Sequence, residues 1–429
     1  MRRGAAAALI AHGGAAGEAL SSLAMEKATT ENTEAALSRP QLVARAEALV
    51  ETVRERSDET EQLRRLSNET VRDMRAANLH RILQPQKYGG VGGHFSGMVD
   101  IVDTISQGCC AAGWCLTQYC SHNCLLGYWP GEGQADVWRD MPDALVAGVL
   151  IPACGKAQKV DGGWRLSGQW PFASGIYGAD WFIAAAFTAE DGTEDGVAPV
   201  AQMHAVPRAD YEILDTWHTA GLRGTGSADV AIKDCFVPDH RALAVSETTG
   251  GGNAPGCQVN PEALYKLPAF SMFSINQSAA ALGLAQATYD GYMTHARDRI
   301  ARASGKSVAD YSTAQVKVGE ARTSIHMARM LLHNCCDLGM AVAGKCEIAP
   351  MELKTELRAK AAMAGKLSAE AVDLLFQLSG GAGLYDRNPV SRAMRDMNCM
   401  RGHITQNWDV NGSNYGRVLL GLPSADKAL

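Results

Sequence analysis

The chain has 429 residues, of which 46% are hydrophobic, enough to bury more than one packed core. Its 40 lysines and arginines and 46 acidic residues are spread without long runs of one sign. This pattern lacks the clustered positive charge of a protein that binds nucleic acid or an anionic membrane. No stretch reaches the roughly 18 to 20 apolar residues of a membrane helix, so the expected partner is a small molecule.

Twelve cysteines lie mostly in apolar, helix-like surroundings and form no C-x-x-C pair, which predicts reduced thiols and a cytoplasmic protein. His122 stands between two cysteines, but zinc-site spacing is absent and we predict no metal. Residues 1 to about 38 begin with two arginines and an alanine-rich run that resembles a signal peptide. His12 and two glycines interrupt that run, so we predict a disordered or loosely attached extension instead.

Residues 39–144 carry apolar side chains at helical spacing, broken once by a glycine-rich loop, and are predicted to form an N-terminal helical domain. His122 lies late in the last of these helices, among aromatic residues. A lone histidine on an apolar helix is more often a core residue than a catalytic one. Its polar neighbours Ser121 and Asn123 favour a position on the wall of a cleft.

Residues 145–245 consist of short runs of Val, Ala, Phe and Trp separated by Gly and Asp, which predicts an antiparallel β domain. One strand is predicted to end at Ser174, beside Gly175, where the absence of bulky side chains lets a flat ligand approach closely. The alternative is a simple bulge at a sheet edge. The stretch is not a hydrolase elbow, because Phe172 replaces the first glycine of G-x-S-x-G.

Residues 246–266 are predicted to be a linker, and residues 267–429 a C-terminal bundle of about four helices. The helices are predicted at 275–301, 314–343, 352–378 and 390–420. A glycine cluster ends the third helix, and no glycine motif for nucleotide binding is present. Charged residues cluster in the first helix, either as a solvated face or as a phosphate clamp: Arg297, Asp298, Arg299 and Arg302.

The order of these regions, from about residue 40, resembles the acyl-CoA dehydrogenase fold. The supporting motifs are Leu222-Arg223-Gly224-Thr225 through Val237-Pro238, Gln377 to Gly383, Pro389-Val390-Ser391-Arg392 and Arg395-Asp396. Other motifs resemble the flavin-dependent monooxygenase branch, the oxygenase components of two-component aromatic hydroxylases: Cys120-Ser121-His122, Phe172-Ala173-Ser174-Gly175 and Gly402-His403. The implied fold class is α+β, mainly α: an N-terminal helical domain, a middle antiparallel β domain and a C-terminal four-helix bundle.

The resemblance implies a homotetrameric oxygenase that receives reduced FMN or reduced FAD from a separate flavin reductase. With molecular oxygen it would hydroxylate an aromatic, phenolic substrate through a flavin hydroperoxide. The implied catalytic residues are His122, which would polarise or deprotonate the phenol, Ser174, which would bond the flavin ring, and His403, a cation on the oxygen side. The implied cofactor-binding residues are Trp114, Phe172, Ser174, Arg299, Gln377, Gly380 and Gly381.

Three alternatives remain. Where dehydrogenases of this fold carry a Tyr-Glu-Gly motif, the chain has Arg401-Gly402-His403, so dehydrogenation lacks an evident base. A dehydrogenase would nevertheless be recognised by retaining yellow oxidised FAD, and a non-catalytic scaffold by binding no reduced flavin. Oxygenation at nitrogen or sulfur also remains open, and Asn398 stands where many of the hydroxylases carry another histidine, which leaves the substrate open.

Overall fold

The computed structural model describes residues 37–189, 199–296, 299–300 and 305–429, and Ser38–Leu429 form one compact unit. The extension predicted at residues 1 to about 38 lies almost wholly outside the described residues. Also outside the described residues are three members of the predicted charge cluster: Arg297, Asp298 and Arg302. Among the helices described, none is long and apolar enough to cross a membrane.

In the described part of the chain, six α-helices precede the sheet, in the region where the apolar spacing predicts helices. They are α1 (Arg39–Glu55), α2 (Ser57–Leu63), α3 (Asn68–Ala76), α4 (Ser96–Gly108), α5 (Cys110–Leu126) and α6 (Gly131–Trp138). Helix α5 is apolar on all sides and almost completely buried, which is the behaviour expected of a helix without a polar face. Gly113 lets α4 approach closely, because a Cβ there would lie 1.8 Å from the Ser106 Oγ. Helix α5 is therefore a rigid inner support for the residues that it carries.

Among the residues described, eight strands form one mixed sheet with the order β6-β7-β3-β2-β4-β5-β8, and β1 pairs with β4. They are β1 (Val146–Val149), β2 (Gly155–Val160), β3 (Gly163–Ala173), β4 (Trp181–Ala189), β5 (Ala201–Pro207), β6 (Glu212–Leu214), β7 (Ala228–Pro238) and β8 (Ala242–Ala244). Most neighbours are antiparallel, as predicted, but β4 runs parallel to both β1 and β2. The long β3–β7 pairing brings the end of β3 beside the loop that precedes β7.

The C-terminal part is helical and confirms the bundle. Its helices are α7 (Ala269–Met272), α8 (Ser274–Ala296), α9 (Ser312–Gly344), α10 (Met351–Ser379), α11 (Pro389–Arg401) and α12 (Trp408–Leu419). The single helix predicted over residues 390–420 is wrong, because a turn divides it into α11 and α12. The Asn407 side chain caps α12 by accepting from the Val410 N–H at 3.2 Å. The turn places His403 outside regular helix.

The segment predicted as a linker, residues 246–266, is packed rather than loose. It contains short 3₁₀ turns and the fully buried Tyr265, whose hydroxyl donates to the Leu83 carbonyl at 3.1 Å. Tyr128, just after α5, donates to the Leu267 carbonyl at 2.8 Å. These bonds join the segment to the N-terminal helices and hold the start of the bundle against them.

Candidate active site

Ser174 lies at the end of β3, in a tight turn that requires unusual backbone angles. Phe172 has a φ of +67°, and its carbonyl accepts from the Ser174 N–H at 2.9 Å. Gly175 has a φ of +74°, and a Cβ there would lie 2.8 Å from the Tyr119 hydroxyl. That hydroxyl instead donates to the Gly175 carbonyl at 2.6 Å, while the Gly175 N–H donates to the Thr225 carbonyl at 3.0 Å. Backbone strain is thus held in place by contacts from α5 and the loop before β7.

Three of the predicted site residues come together from three regions of the chain. The Trp114 indole of α5 donates to the Ser174 Oγ at 3.0 Å. The His403 ring lies edge-on to the same indole, with centroids 5.7 Å apart. Ser174 is 8% exposed, so its hydroxyl is shielded from bulk water and its hydrogen bonds are well defined.

His403 is held in one tautomer. Its Nδ1 accepts from the Thr405 backbone N–H at 3.3 Å and lies 2.8 Å from the Thr405 hydroxyl. Burial and the positive charge of Arg358 lower the pKa of His403 to about 4. The ring is therefore neutral near pH 7, with its proton on Nε2. This differs from the cation that the sequence predicts, because burial disfavours the charged imidazole.

His122 is also a neutral, buried histidine. Burial lowers its pKa to about 4, partly offset by a hydrogen bond to the Val146 backbone. Its Nδ1 is buried and has no hydrogen-bond partner in the part of the chain that the structure describes. A Cβ on Gly148 would lie 3.1 Å from the His122 Nε2, so β1 approaches this face of the ring closely. A neutral imidazole keeps one ring nitrogen as a hydrogen-bond acceptor.

His122 lies eight residues after Trp114 on the same helix, which corresponds to about 12 Å. Trp114, Ser174 and His403 therefore form one cluster, and His122 lies roughly two helical turns from it. Such a separation leaves room for an aromatic ring between the cluster and the histidine.

Two aromatic rings flank the Ser174 turn. Phe172 is 62% exposed, and its ring lies edge-on to Trp217, with centroids 6.3 Å apart. The Trp217 indole donates to the Leu222 carbonyl at 2.9 Å, which fixes the ring. An exposed phenylalanine held in a strained conformation beside a buried hydroxyl suits a flat ligand. Trp217 was not predicted from the sequence as a site residue. The glycine-rich loop that follows it in the chain could have indicated it.

The predicted phosphate-binding residues form a second cluster at one end of the bundle. Arg299 donates to the Leu378 and Ser379 carbonyls, at 2.9 and 3.0 Å, and so caps the C-terminal end of α10. Gln377 accepts from Lys317 at 2.6 Å. Two glycines follow, Gly380 and Gly381. Gly380 has a φ of +57°, and a Cβ added to Gly381 would have no atom within 4 Å. None of the hydrogen bonds of this cluster among the described residues reaches Ser174.

A separate cavity of about 540 Å³ lies among α1, α2, α4, α5, α8 and α11 and contains none of the predicted catalytic residues. Buried Asp396 lines it, and accepts from the Leu222 N–H at 2.6 Å. Among the described residues, no group of three His, Cys, Asp or Glu side chains could hold a metal ion. The candidate site is therefore defined by hydrogen-bonding and aromatic side chains.

Known proteins are similar to this chain over most of its length. Residues 275–408 match the family "Acyl-CoA dehydrogenase, C-terminal domain". The FADH(2)-dependent resorcinol hydroxylase, oxygenase component, of Rhizobium sp. is 33% identical over 390 residues, covering 89% of this chain and 94% of that protein. The crystal structure of 3-HSA hydroxylase from Rhodococcus sp. RHA1 superposes with a TM-score of 0.84 at 30% identity, covering 91% of this chain and 99% of that one.

The structure of XiaF from Streptomyces sp., in complex with FADH2 and glycerol, also has a TM-score of 0.84, at 27% identity, covering 95% of this chain and 100% of that one. The chain therefore belongs to the family of flavin-dependent monooxygenases, as an oxygenase component with the acyl-CoA dehydrogenase fold. It is an oxidoreductase of the class that uses reduced flavin and molecular oxygen. The predicted fold class and enzyme class are confirmed.

Proposed function

We propose that the substrate is a phenol and that His122 accepts a hydrogen bond from its hydroxyl group, which polarises or deprotonates the phenol. The observation that carries this proposal is the buried, neutral His122 ring, which no hydrogen bond to a described side chain occupies and which lies about two helical turns from the Ser174 cluster. A phenolate ring is richer in electrons than the phenol and attacks an electrophilic oxygen more readily. The resorcinol hydroxylase of Rhizobium supports a substrate of this class.

Reduced flavin, when bound, supplies the electrons that activate molecular oxygen. The cluster of Trp114, Ser174 and His403, with the neighbouring Phe172, fits the flavin ring. Phe172 offers an exposed aromatic face, and Ser174 offers a buried hydroxyl oxygen at the adjacent turn. His403 is proposed to donate from its neutral Nε2–H toward the oxygen side, since Thr405 occupies its Nδ1. The shielded site limits access of water to the reacting atoms.

The second cluster is proposed to bind the flavin phosphate. Arg299 combines a guanidinium group with two bare glycines, Gly380 and Gly381, whose backbone N–H groups a phosphate can approach. Because no hydrogen bond joins this cluster to Ser174 among the described residues, we propose that a second copy of the chain supplies it, within a homotetramer. FMN and FAD both carry a phosphate that it could bind.

We also propose a source for the reduced flavin and a location for the protein in the cell. The relatives are named oxygenase components, which supports a separate reductase as the source of reduced flavin. All twelve cysteines are free thiols, which supports a cytoplasmic location.

The test supplies reduced flavin from a generic flavin reductase and screens phenols, matched non-phenolic aromatics, amines and thioethers. Mass spectrometry scores a gain of one oxygen atom. Conversion of phenols with recovery of their non-phenolic analogues supports the proposal. Equal conversion of phenols and their methyl ethers would contradict a role for phenol deprotonation, and conversion confined to amines or thioethers would indicate N- or S-oxygenation.

A further inference from the structure

A row of buried hydroxyl groups extends from Ser174 into the loop before β7. The Ser174 Oγ lies 2.7 Å from the Ser227 Oγ, which lies 2.6 Å from the Thr225 Oγ1. The Thr225 Oγ1 lies 2.8 Å from the Leu222 carbonyl oxygen. At its other side, the Ser174 Oγ accepts from the Trp114 indole at 3.0 Å. The three hydroxyl-bearing residues are at most 8% exposed, so water does not compete for these bonds.

The number of protons determines the direction of every bond in this row. Each hydroxyl has one proton to donate, and each of the three oxygen–oxygen gaps needs one proton to be attractive. The Leu222 carbonyl has none, so Thr225 must donate to it. Ser227 must then donate to Thr225, and Ser174 must donate to Ser227. Ser174 has thereby used its only proton and keeps one free lone pair.

The carbonyl at the end of the row is held firmly. Leu222 has a left-handed φ of +51°, and its N–H donates to the buried Asp396 carboxyl at 2.6 Å. The Trp217 indole also donates to the Leu222 carbonyl. This anchoring keeps the acceptor in place and so preserves the direction of the whole row.

The free lone pair distinguishes the two redox states of a flavin. The N5 atom of a reduced flavin carries a hydrogen and donates, whereas N5 of an oxidised flavin has a lone pair and accepts. We propose that Ser227 and Thr225 are positioning residues that make Ser174 an acceptor toward N5, and so favour reduced over oxidised flavin. This inference rests on the proposed contact between Ser174 and the flavin ring.

The test measures dissociation constants for reduced flavin, without oxygen, and for oxidised flavin. Ser227→Ala releases the Ser174 proton, which can then be donated to oxidised N5. We expect the preference for reduced flavin to fall by about 2- to 13-fold, the value of one hydrogen bond. A tenfold fall corresponds to a decrease of about 30 mV in the midpoint potential of the bound flavin. Thr225→Val should act in the same direction, and Thr225→Ser should restore the wild-type ratio.

Two controls separate positioning from general damage. Ser368→Ala removes another buried serine, whose Oγ donates to the Ala364 carbonyl within α10 at 2.9 Å, and should leave the ratio unchanged. In a Ser174→Ala background, Ser227→Ala should cause no further change. The inference is overturned if Ser227→Ala and Thr225→Val keep the wild-type ratio of the two dissociation constants, or if Ser227→Ala changes that ratio equally in the Ser174→Ala background. Either result leaves the proposed function standing. Failure of the wild-type protein to bind reduced flavin would instead contradict the proposed function.

Discussion

His122 and His403 are both neutral near pH 7, but they offer opposite groups to a ligand. Neutral His122 keeps one ring nitrogen as an acceptor, whereas Thr405 leaves His403 with a proton on Nε2. One ring can therefore accept a proton from a substrate while the other donates a hydrogen bond. Burial alone makes both rings neutral, and their backbone neighbours decide their roles.

His122→Asn should lower the hydroxylation rate by about 100-fold or more, the usual effect of losing a general base. Reduced-flavin affinity should be nearly unchanged, because no contact joins His122 to the Ser174 cluster in the described chain. His204→Asn is the matched control, since burial also lowers the pKa of His204 to about 4 and that residue lies in β5. Stopped-flow product analysis measures both variants. Equal losses in the two would assign His122 a structural role.

With reduced flavin and oxygen, Ser174→Ala should release hydrogen peroxide about 2- to 13-fold faster, for the loss of one hydrogen bond. The same change leaves the buried Trp114 indole without its acceptor, so thermal stability should also fall. Trp114→Phe removes that indole donor but keeps the serine, and thus separates the two effects. Peroxide release in Ser174→Ala equal to wild type would mean that the turn is only structural.

At the scale of elements, α11 connects the bundle to the sheet. Asp396 of α11 accepts from the Leu222 N–H in the loop before β7, and the following turn carries His403. Arg395, beside it, pairs with Glu61 of α2 at 2.7 Å. A displacement of α11 would therefore move both the anchor of the hydroxyl row and the histidine of the site.

Burial raises the pKa of Asp396 to about 7, above its ordinary value of 3.8. The folded protein therefore binds this proton more tightly than the unfolded chain does. The resulting stabilisation is complete below about pH 4 and is lost as the pH rises to about 7. Asp396→Asn keeps an acceptor for Leu222 and removes this dependence.

We expect the free energy of unfolding of wild type, relative to Asp396→Asn, to fall by about 1 kcal/mol or more between pH 5 and pH 8. Urea unfolding of both proteins measures the difference. Asp58→Asn is the control, since that carboxylate is 80% exposed although it pairs with Arg392. A difference independent of pH would show that Asp396 stays ionised in the fold.

At the scale of the whole molecule, the two clusters of predicted flavin-binding residues are separate. Several large apolar side chains near the second cluster and after α12 are exposed, including Leu384 at 72% and Leu420 at 80%. Exposed apolar surface of this kind is often covered in symmetric assemblies. A neighbouring copy would cover it and bring its own Arg299 to a flavin bound at Ser174.

Arg299→Ala should weaken reduced-flavin binding by about tenfold, as the loss of a charge-assisted hydrogen bond predicts. Arg208→Ala is the matched control, because Arg208 also donates to a main-chain carbonyl, that of Tyr211 at 2.9 Å. Light scattering should give four copies for wild type and both variants. A fully active monomer would contradict the assembly, and unchanged affinity in Arg299→Ala would contradict the phosphate site.

Much of the fold could be predicted from the sequence, because helix and strand periodicity are local properties of the chain. The three regions, the end of β3 at Ser174 and the glycines after α10 follow from patterns of a few residues. The motifs around His122, Ser174 and His403 also indicated the enzyme class. The turn that separates α11 from α12 could not be predicted, because apolar spacing continues across it and the Asn407 cap is a weak signal.

Tertiary structure alone decided the chemical state of the site. Ser174 and Ser227 are 53 residues apart in the chain, and Leu222 and Asp396 are 174 apart, so no local pattern contains their contacts. The neutrality of His403 likewise depends on burial against Arg358 and not on its neighbours in sequence. Residue types that can do chemistry are visible in a sequence. Their protonation and hydrogen-bond direction depend on which distant groups the fold places within about 3 Å.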